Sequence, residues 1–152
     1  MHHWESADLR NLLLEAFAPH GAGPERMVLR GEDVRLRPRA VLTLAMAFHE
    51  LITNAAKYGA LSLPVGRVEI RWHLTQDETG RALLGIDWRE QGGPAVRMPE
   101  RRGFGSRLIE EGMAAELSGA AQLTYAPEGL RCEIAIPCAT TIADGRGTEG
   151  ED

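Results

Sequence analysis

The sequence predicts a single α+β domain in which a mostly antiparallel sheet carries helices on one face. Its 152 residues suit one domain with a substantial core. Stretches with apolar residues at helical spacing are separated by stretches in which apolar and polar residues alternate, as in half-buried strands. Neighbouring alternating stretches are joined by short turns, which favours antiparallel pairing, and we find no internal repeat.

The first predicted elements are a helix and a β-hairpin. Leucines at helical spacing in residues 7–17 indicate a helix that starts near Ser6 or Asp8. Residues 26–38 then alternate apolar and charged side chains on both sides of Gly31, which predicts a short hairpin that turns at this glycine.

A long apolar helix follows. Pro38 suits its first turn, and we expect the helix to run to about Tyr58, with Gly59 as its stop. On a helical wheel, the face that packs on the sheet is centred on Val41. The other members of this predicted face are Ala45, Phe48, Ile52 and Ala55.

Two strands come next. Residues 66–74 alternate strictly, which places Val68, Ile70 and Trp72 on a covered face and charged side chains on the other. After a short turn, residues 81–90 form the second predicted strand.

The last third of the chain is predicted to contain a loop, a helix and a hairpin. Residues 91–105 are rich in Gly, Pro and Arg and form the loop, and residues 106–119 form a helix that ends on Gly119. Residues 121–137 form a final hairpin that turns at a Pro-Glu-Gly sequence. Small, polar and acidic side chains predict a disordered tail over residues 139–152.

Composition and charge exclude several functions. A net charge of −5 and a pI near 5.6 argue against a nucleic-acid partner. No apolar run approaches the roughly 20 residues that span a bilayer, and no signal peptide is visible, so we expect no direct membrane insertion and a cytoplasmic location. Cys132 and Cys138 have no partnering cluster of Cys or His, which predicts reduced thiols and no zinc site.

Polar residues interrupt the long helix in the stretch HELITNAAKYGALS, residues 49–62. The wheel places Glu50, Asn54 and Lys57 together, on the side opposite the sheet. They form either a solvated face or a binding site, and their small and apolar neighbours favour a site. A carboxylate and an amide oxygen one turn apart are hard ligands that suit Mg²⁺, and a lysine one turn further can meet the same anion.

This stretch resembles the N box of the GHKL ATP-binding superfamily, and more narrowly that of the HWE subfamily of sensor histidine kinases. The subfamily is named for an N-box histidine and a Trp-x-Glu motif, which match His49 and the pair Trp88 and Glu90 in DWREQGGP. GFGSRLIEE, which starts at Gly103, resembles the second glycine motif. The opening HWESADLRNLL resembles the segment that follows the family's dimerisation helices.

The resemblance covers residues 4–137 and implies the GHKL, or Bergerat-type, two-layer α/β sandwich. It divides the chain into a segment after absent dimerisation helices (residues 1–20), an ATP-binding catalytic domain (21–138) and the tail (139–152). It further implies a protein-histidine kinase that uses ATP and Mg²⁺. The γ-phosphoryl group would pass to a histidine on a dimerisation domain and then to a response regulator receiver domain, and the isolated chain would be a monomer.

The same resemblance implies roles in the N box. Asn54 would coordinate Mg²⁺, and Glu50 would either polarise the attacking imidazole or hold a metal-bound water. Lys57 and Tyr58 would meet phosphate or ribose. His49 belongs to the signature and to the candidate catalytic set, but its expected place near the edge of the buried face also suits a structural histidine.

The first glycine motif departs from the superfamily's Asp-x-Gly-x-Gly. Glu90 takes the place of the acid that accepts a hydrogen bond from the adenine amino group, directly or through water. Gly92 and Gly93 belong to the same base site, although Gly93 is shifted from the motif. Trp88 shares the strand face of Glu90, where it walls the purine pocket or, as we favour, fills the core.

Residues 94–102 resemble a shortened ATP lid. Its positive charge suits a triphosphate and equally suits a solvated loop, and it comes from Arg97, Arg101 and Arg102. Gly103, Phe104 and Gly105 open a helix whose N-terminus favours a phosphate. The alternative is a loop-to-helix junction that needs positive φ.

Two other functions stay open. An anti-sigma-type serine kinase shares the ATP-binding fold but phosphorylates a protein serine, and the motif formed by Trp88 and Glu90 disfavours it. A degenerate module would keep the fold without using ATP. Four intact residues disfavour that alternative: Glu50, Asn54, Lys57 and Gly105.

Overall fold

A computed structural model of the chain describes residues 7–21, 23–94 and 104–143, with the backbone alone for residues 104–106. Its helices are α1 (Leu9–Phe17), α2 (Pro38–Lys57), α3 (Phe104–Leu117) and the short α4 (Cys138–Thr141). Among these described residues, no helix combines the length and the apolar content needed to cross a membrane. The strands are β1 (Ala7–Asp8), β2 (Met27–Arg30), β3 (Arg35–Leu36), β4 (Arg67–Gln76), β5 (Ala82–Gln91), β6 (Ala120–Ala126) and β7 (Gly129–Pro137).

Five strands form one sheet in the order β2–β4–β5–β7–β6. β2 lies parallel to β4, and the other neighbouring pairs in this sheet are antiparallel. Helices cover one face of the sheet. The structure therefore confirms the predicted α+β class with a mixed, mostly antiparallel sheet, and β6 and β7 form the predicted final hairpin.

The predicted hairpin at residues 26–38 is wrong. β2 pairs in parallel with β4, in a register that sets Met27 opposite Val68, and β3 pairs with β1 in a separate two-stranded sheet. The physical reason is the length of the available partner, because β3 spans only two residues whereas β4 offers β2 a four-residue ladder. Alternation predicted both strands but not their partners.

Apolar side chains of the helices and of the covered sheet face form the core. The carboxylate of Asp8 accepts the backbone N–H of Arg10 and caps α1, which decides between the two predicted starts. The predicted alternation of β4 is confirmed, because Val68, Ile70 and Trp72 are buried. The largest fully buried side chains are Trp88, Phe17, Phe48, Leu9, Leu13, Leu36, Leu44, Leu51, Ile52, Ile70, Leu84 and Ile86.

The face that helix α2 turns to the sheet overlaps the predicted face but is rotated from it. Phe48, Ile52 and Ala55 are buried, as predicted. The predicted face was centred on Val41, which is only half-buried. The buried face is instead centred near Leu44 and Leu51, about 60° further round the helix axis. This rotation brings Glu50 and Asn54 from the far side to the flank of the buried face, where both are half-buried. The buried residues of α2 are Ala40, Leu44, Ala47, Phe48, Leu51, Ile52 and Ala55.

The fold extends beyond the predicted C-terminal boundary at residue 138. In α4, Thr141 is fully buried, and its carbonyl accepts the N–H of Arg37 at 2.8 Å. Ile142 forms a strand bridge with Leu36. Residues 139–143 therefore belong to the fold, because their backbone and side chains have partners in it. Residues 144–152 lie outside the described residues, and their disorder stays a prediction.

The end of α3 also differs from its prediction. The helix ends at Leu117, and Ser118 adopts a left-handed conformation with a φ of 59°. The N–H of Gly119 donates to the carbonyl of Met113 at 2.9 Å, so the predicted glycine follows the helix end rather than forming it.

Candidate functional site

Three of the predicted site residues lie on the second half of α2. Glu50 and Asn54 are half-buried, Lys57 is exposed, and their spacing places them on successive turns of the helix. Their side chains make no hydrogen bond or ion pair with other residues that the structure describes. The carboxylate and amide oxygens therefore keep their acceptor capacity for a ligand or a hydrated cation.

The turn after α2 is closed by backbone hydrogen bonds. The N–H groups of Tyr58 and Gly59 both donate to the carbonyl of Asn54, at 2.8 and 3.1 Å, and Gly59 also donates to that of Ala55 at 3.0 Å. A 3₁₀ turn follows over Ala60–Ser62. The backbone of this turn is thus tied to Asn54, one of the predicted site residues.

Glu90, at the end of β5, joins this turn through a buried carboxylate. Its side chain is 5% exposed. Oε1 accepts the backbone N–H of Ala60 at 3.0 Å, and Oε2 accepts the indole N–H of Trp88 at 3.0 Å. A buried carboxylate is costly without such donors. The hydrogen bond from Ala60 holds the end of β5 against the turn after α2, and the one from Trp88, within β5, fixes the other carboxylate oxygen.

Glycines allow β5, the α2 turn and the β6–β7 hairpin to approach one another closely. A Cβ atom at Gly59 would overlap Oε1 of Glu90, and one at Gly129 would overlap the Glu90 carbonyl oxygen. A Cβ atom at Gly93 would lie 2.7 Å from the Cα atom of Ala60. Larger side chains at these positions would force the segments apart, so the packing around Glu90 requires glycine.

Trp88 fills the core, as we favoured from the sequence. Its side chain is fully buried, and its ring stacks on that of Phe17, with centroids 5.8 Å apart and planes inclined by 10°. The sequence placed Trp88 and Glu90 on one strand face but did not reveal that they are hydrogen-bonded. The signal was present, because side chains two apart on a strand are neighbours and an indole N–H can donate to a carboxylate.

Curated proteins similar to this chain are named blue-light-activated histidine kinases. One from Brucella abortus (strain 2308) is 34% identical over 145 residues, which are 95% of this chain and 29% of that protein. Blue-light-activated histidine kinase 1 from Erythrobacter litoralis is 44% identical over 116 residues, which are 74% of this chain and 31% of that protein. The chain spans less than a third of the length of these relatives. No protein-family model matches it.

Solved histidine kinase structures share the fold. The histidine kinase domain of a blue-light-activated kinase from Erythrobacter litoralis has a TM-score of 0.66 at 18% identity, covering 86% of this chain and 59% of that chain. The mycobacterial sensor histidine kinase MprB has a TM-score of 0.64 at 20% identity, covering 88% of this chain and 96% of that chain. Over most of its length the chain is therefore similar to sensor histidine kinases, and it has the fold of their catalytic domains.

His49 is exposed, which corrects its expected place near the edge of the buried face. The rotated phase of α2 is the reason. His49 and Glu50 both line an open groove of about 510 Å³ between α1 and α2. A second groove, of about 450 Å³, lies between α2 and α3. Asn54, Lys57 and Glu90 line neither groove, so these grooves are distinct from most of the candidate site.

Residues 95–102 of the predicted lid, with Arg97, Arg101 and Arg102, lie outside the described residues, and so does Gly103. Helix α3 begins at Phe104, so Gly105 belongs to its first turn. Gly92 adopts a left-handed φ of 79°, which favours glycine at the start of this connection.

Glu50 and Asn54 are the cation ligands that the sequence predicts, and this role stays a prediction. Among the described residues, no group of three or more His, Cys, Asp or Glu side chains is placed to hold a metal ion. Mg²⁺ does not need such a group, since it commonly keeps several waters and takes one or two protein oxygens. Cys132 offers no alternative chemistry, because burial raises the pKa of its thiol to about 12.

Proposed function

We propose that this kinase domain binds Mg–ATP and transfers the γ-phosphoryl group to a histidine on a dimerisation domain outside the chain. One observation carries the proposal: Glu90 Oε1 accepts the N–H of Ala60 at 3.0 Å. Through this bond, a carboxylate that can accept the amino group of a nucleobase lies next to the end of α2. The same helix bears Glu50, Asn54 and Lys57. The domain thus offers groups for both ends of a nucleotide on adjoining segments.

The proposed base site is formed by the end of β5. An ionised carboxylate is an acceptor, so Glu90 complements the 6-amino donor of adenine. Gly92 and Gly93 bring the backbone of β5 close to the turn after α2, where a Cβ atom at Gly93 would meet Ala60. The half-exposed Tyr58 belongs to the same turn and is proposed to meet the ribose or a phosphate.

The proposed phosphate site is on α2. Glu50 and Asn54 offer one carboxylate and one amide oxygen that are half-buried and one turn apart, which fits the hard oxygen ligands of Mg²⁺. Mg²⁺, when bound, would neutralise charge on the transferring phosphoryl group. Lys57 adds an exposed cation on the following turn. Lid residues Arg101 and Arg102 are proposed to add further positive charge, with phosphates also meeting the segment Gly103, Phe104 and Gly105.

We further propose membership of the HWE subfamily and a cytoplasmic site of action, where ATP is available. The hydrogen bond between Trp88 and Glu90 supports the subfamily assignment, because it gives the Trp-x-Glu motif a physical role. The proposed partners are a histidine-bearing dimerisation domain of the same kinase and a response regulator receiver domain. The names of the curated relatives support histidine as the acceptor.

Calorimetric titration of Mg–ATP into the purified chain tests the nucleotide site. We expect binding that needs Mg²⁺, and Asn54→Ala should weaken it by about tenfold or more while the fold is retained. Thr43→Ala is the matched control, because its hydroxyl donates to the Arg39 carbonyl on the same helix, away from the site. Equal Mg–ATP affinity in the parent and Asn54→Ala proteins would remove Asn54 from the site.

Phosphoryl transfer is tested with γ-labelled ATP and a separate dimerisation domain. We expect acid-labile label on that domain and none on the chain itself. Two histidines that the structure describes are poorly placed as acceptors. His49 shares α2 with Glu50 but points about 100° away from it round the helix axis, and His73 is on strand β4. Acid-stable label on a serine of the partner would instead support the serine kinase alternative.

A further inference from the structure

Trp88 combines a packing role with a polar one. Its ring is fully buried and stacked on Phe17, so the orientation of the indole is fixed by the core. Its single N–H donor is aimed at Glu90 Oε2, at 3.0 Å. The indole therefore holds one oxygen of a carboxylate from a position that cannot move without disturbing the packing between α1 and β5.

The second oxygen of the same carboxylate accepts a hydrogen bond from the turn after α2. Glu90 Oε1 accepts the N–H of Ala60, and a Cβ atom at Gly59 would overlap this oxygen. With different donors on its two oxygens, the carboxylate plane has a defined orientation. A rotation of the side chain would break both hydrogen bonds and leave two buried donors unpaired.

We propose that Trp88 is a positioning residue that makes the base site selective for a purine with an amino group at C6. This inference rests on the proposed nucleotide site. A carboxylate offers about four acceptor positions, so it can serve two protein donors and also a ligand. An adenine amino group meets an acceptor there, whereas the 6-carbonyl of hypoxanthine meets a group of like polarity. Without the indole N–H, the carboxylate loses its fixed orientation and discriminates less.

The test compares Mg–ATP with Mg–ITP, which carry these two bases, by calorimetry on the full chain. Trp88→Phe keeps an aromatic ring against Phe17 and removes the donor. We expect ATP affinity to fall by about three- to tenfold, from the loss of one hydrogen bond, with ITP affinity unchanged. The ratio of the two affinities then shrinks by the same factor. A purely structural role for Trp88 would weaken both nucleotides equally.

Trp72→Phe is the matched control. Trp72 is also buried, and its indole N–H donates to the backbone carbonyl of Glu32 at 2.7 Å, but it lies on β4 and makes no hydrogen bond with Glu90. This variant should keep the parent ATP-to-ITP ratio. Replacing Trp88 by benzothienylalanine, which has the shape of tryptophan without the N–H, covers the case in which Trp88→Phe does not fold.

The outcomes separate the two proposals. Equal losses for ATP and ITP, or an unchanged ratio, in either Trp88 replacement would overturn the positioning role while leaving the nucleotide site intact. A parent chain that binds neither nucleotide would contradict the proposed function and the base site together. A ratio that shrinks in both Trp88 replacements and not in Trp72→Phe supports the inference.

Discussion

Glu90 and Glu50, the two carboxylates of the candidate site, lie in opposite surroundings. Glu90 is 5% exposed, accepts hydrogen bonds from Ala60 and Trp88, and is enclosed by glycines. Glu50 is half-buried on α2, and its side chain has no hydrogen-bonding partner among the described residues. One carboxylate is part of the folded structure, whereas the other is available for chemistry.

This difference indicates how the domain divides its work. The proposed base end is built by folding, because its acceptor is oriented before any ligand arrives. The proposed phosphate end is left open, and ligand and cation would complete its polar contacts. Mutations at the two ends should therefore have different effects. Those at the base end should lower the stability of the fold, and those at the phosphate end should weaken only ligand binding or phosphoryl transfer.

The largest effect is expected for Gly129→Ala, which tests the packing around Glu90. Gly129 has a φ of 151°, and its Cβ atom would overlap the Glu90 carbonyl oxygen. We expect a loss of about 3–5 kcal/mol in the free energy of unfolding, measured by urea denaturation. Gly80→Ala is the control, because Gly80 also has positive φ, 88°, but open space around it. Equal losses in the two variants would show that the base end is not tightly packed.

A smaller effect is expected for Glu90→Ala, with Glu50→Ala as its counterpart. Glu90→Ala leaves the buried N–H groups of Trp88 and Ala60 without this acceptor, so we expect a loss of about 2–4 kcal/mol. Glu50→Ala should change the stability by less than about 0.5 kcal/mol while abolishing phosphoryl transfer. Thermal and urea unfolding measure the losses of stability, and the labelling assay with γ-labelled ATP measures phosphoryl transfer. Similar stability losses in both would remove the distinction between the two ends.

The smallest effect is expected for Asp77→Asn. Asp77 is hydrogen-bonded like Glu90 but is not buried, so the variant shows what such hydrogen bonds contribute without burial. The Thr79 hydroxyl, followed by the N–H of Arg81, lowers the pKa of this exposed carboxyl group. A lowered pKa gives a stabilisation that is present above the unfolded-state pKa and is lost as the pH falls through the folded-state value. Asp77→Asn should therefore cost less than Glu90→Ala at pH 7, and its difference from the parent should vanish in acid. Melting temperatures from pH 7 to pH 3 measure it, and a pH-independent difference would contradict the assignment.

Much of the fold could be predicted because local patterns are strong where partners are close. The first strand, β4, alternates clearly and a short turn joins it to β5, so both strands and the buried face of β4 could be predicted from the sequence. The parallel pairing of β2 with β4 could not be predicted, because the paired residues lie about 40 positions apart. The phase of α2 was missed because Leu42 and Met46 are 70% and 56% exposed, and such apolar residues blur the stripe.

The candidate site was predictable in residue type but not in its contacts. The N box and the Trp-x-Glu motif named Glu50, Asn54 and Glu90 from the sequence. That Glu90 is bonded to Ala60 depends on how the end of β5 meets the turn after α2, 30 residues away, which no local pattern encodes. Whether Asn54 and Glu50 hold Mg²⁺ stays a prediction.

Leu36 brings the two ends of the described chain close together. It pairs with Ala7 on one side and with Ile142 on the other. Adjacent strands are about 4.8 Å apart, so these two positions lie within about 10 Å of each other. In topological terms the described chain is close to a circle. A short linker could join its two ends and the chain could be reopened at the turn that holds Asp77, with the strand order preserved. The first and last described residues, Ala7 and Ala143, therefore both lie beside β3, at one corner of the domain.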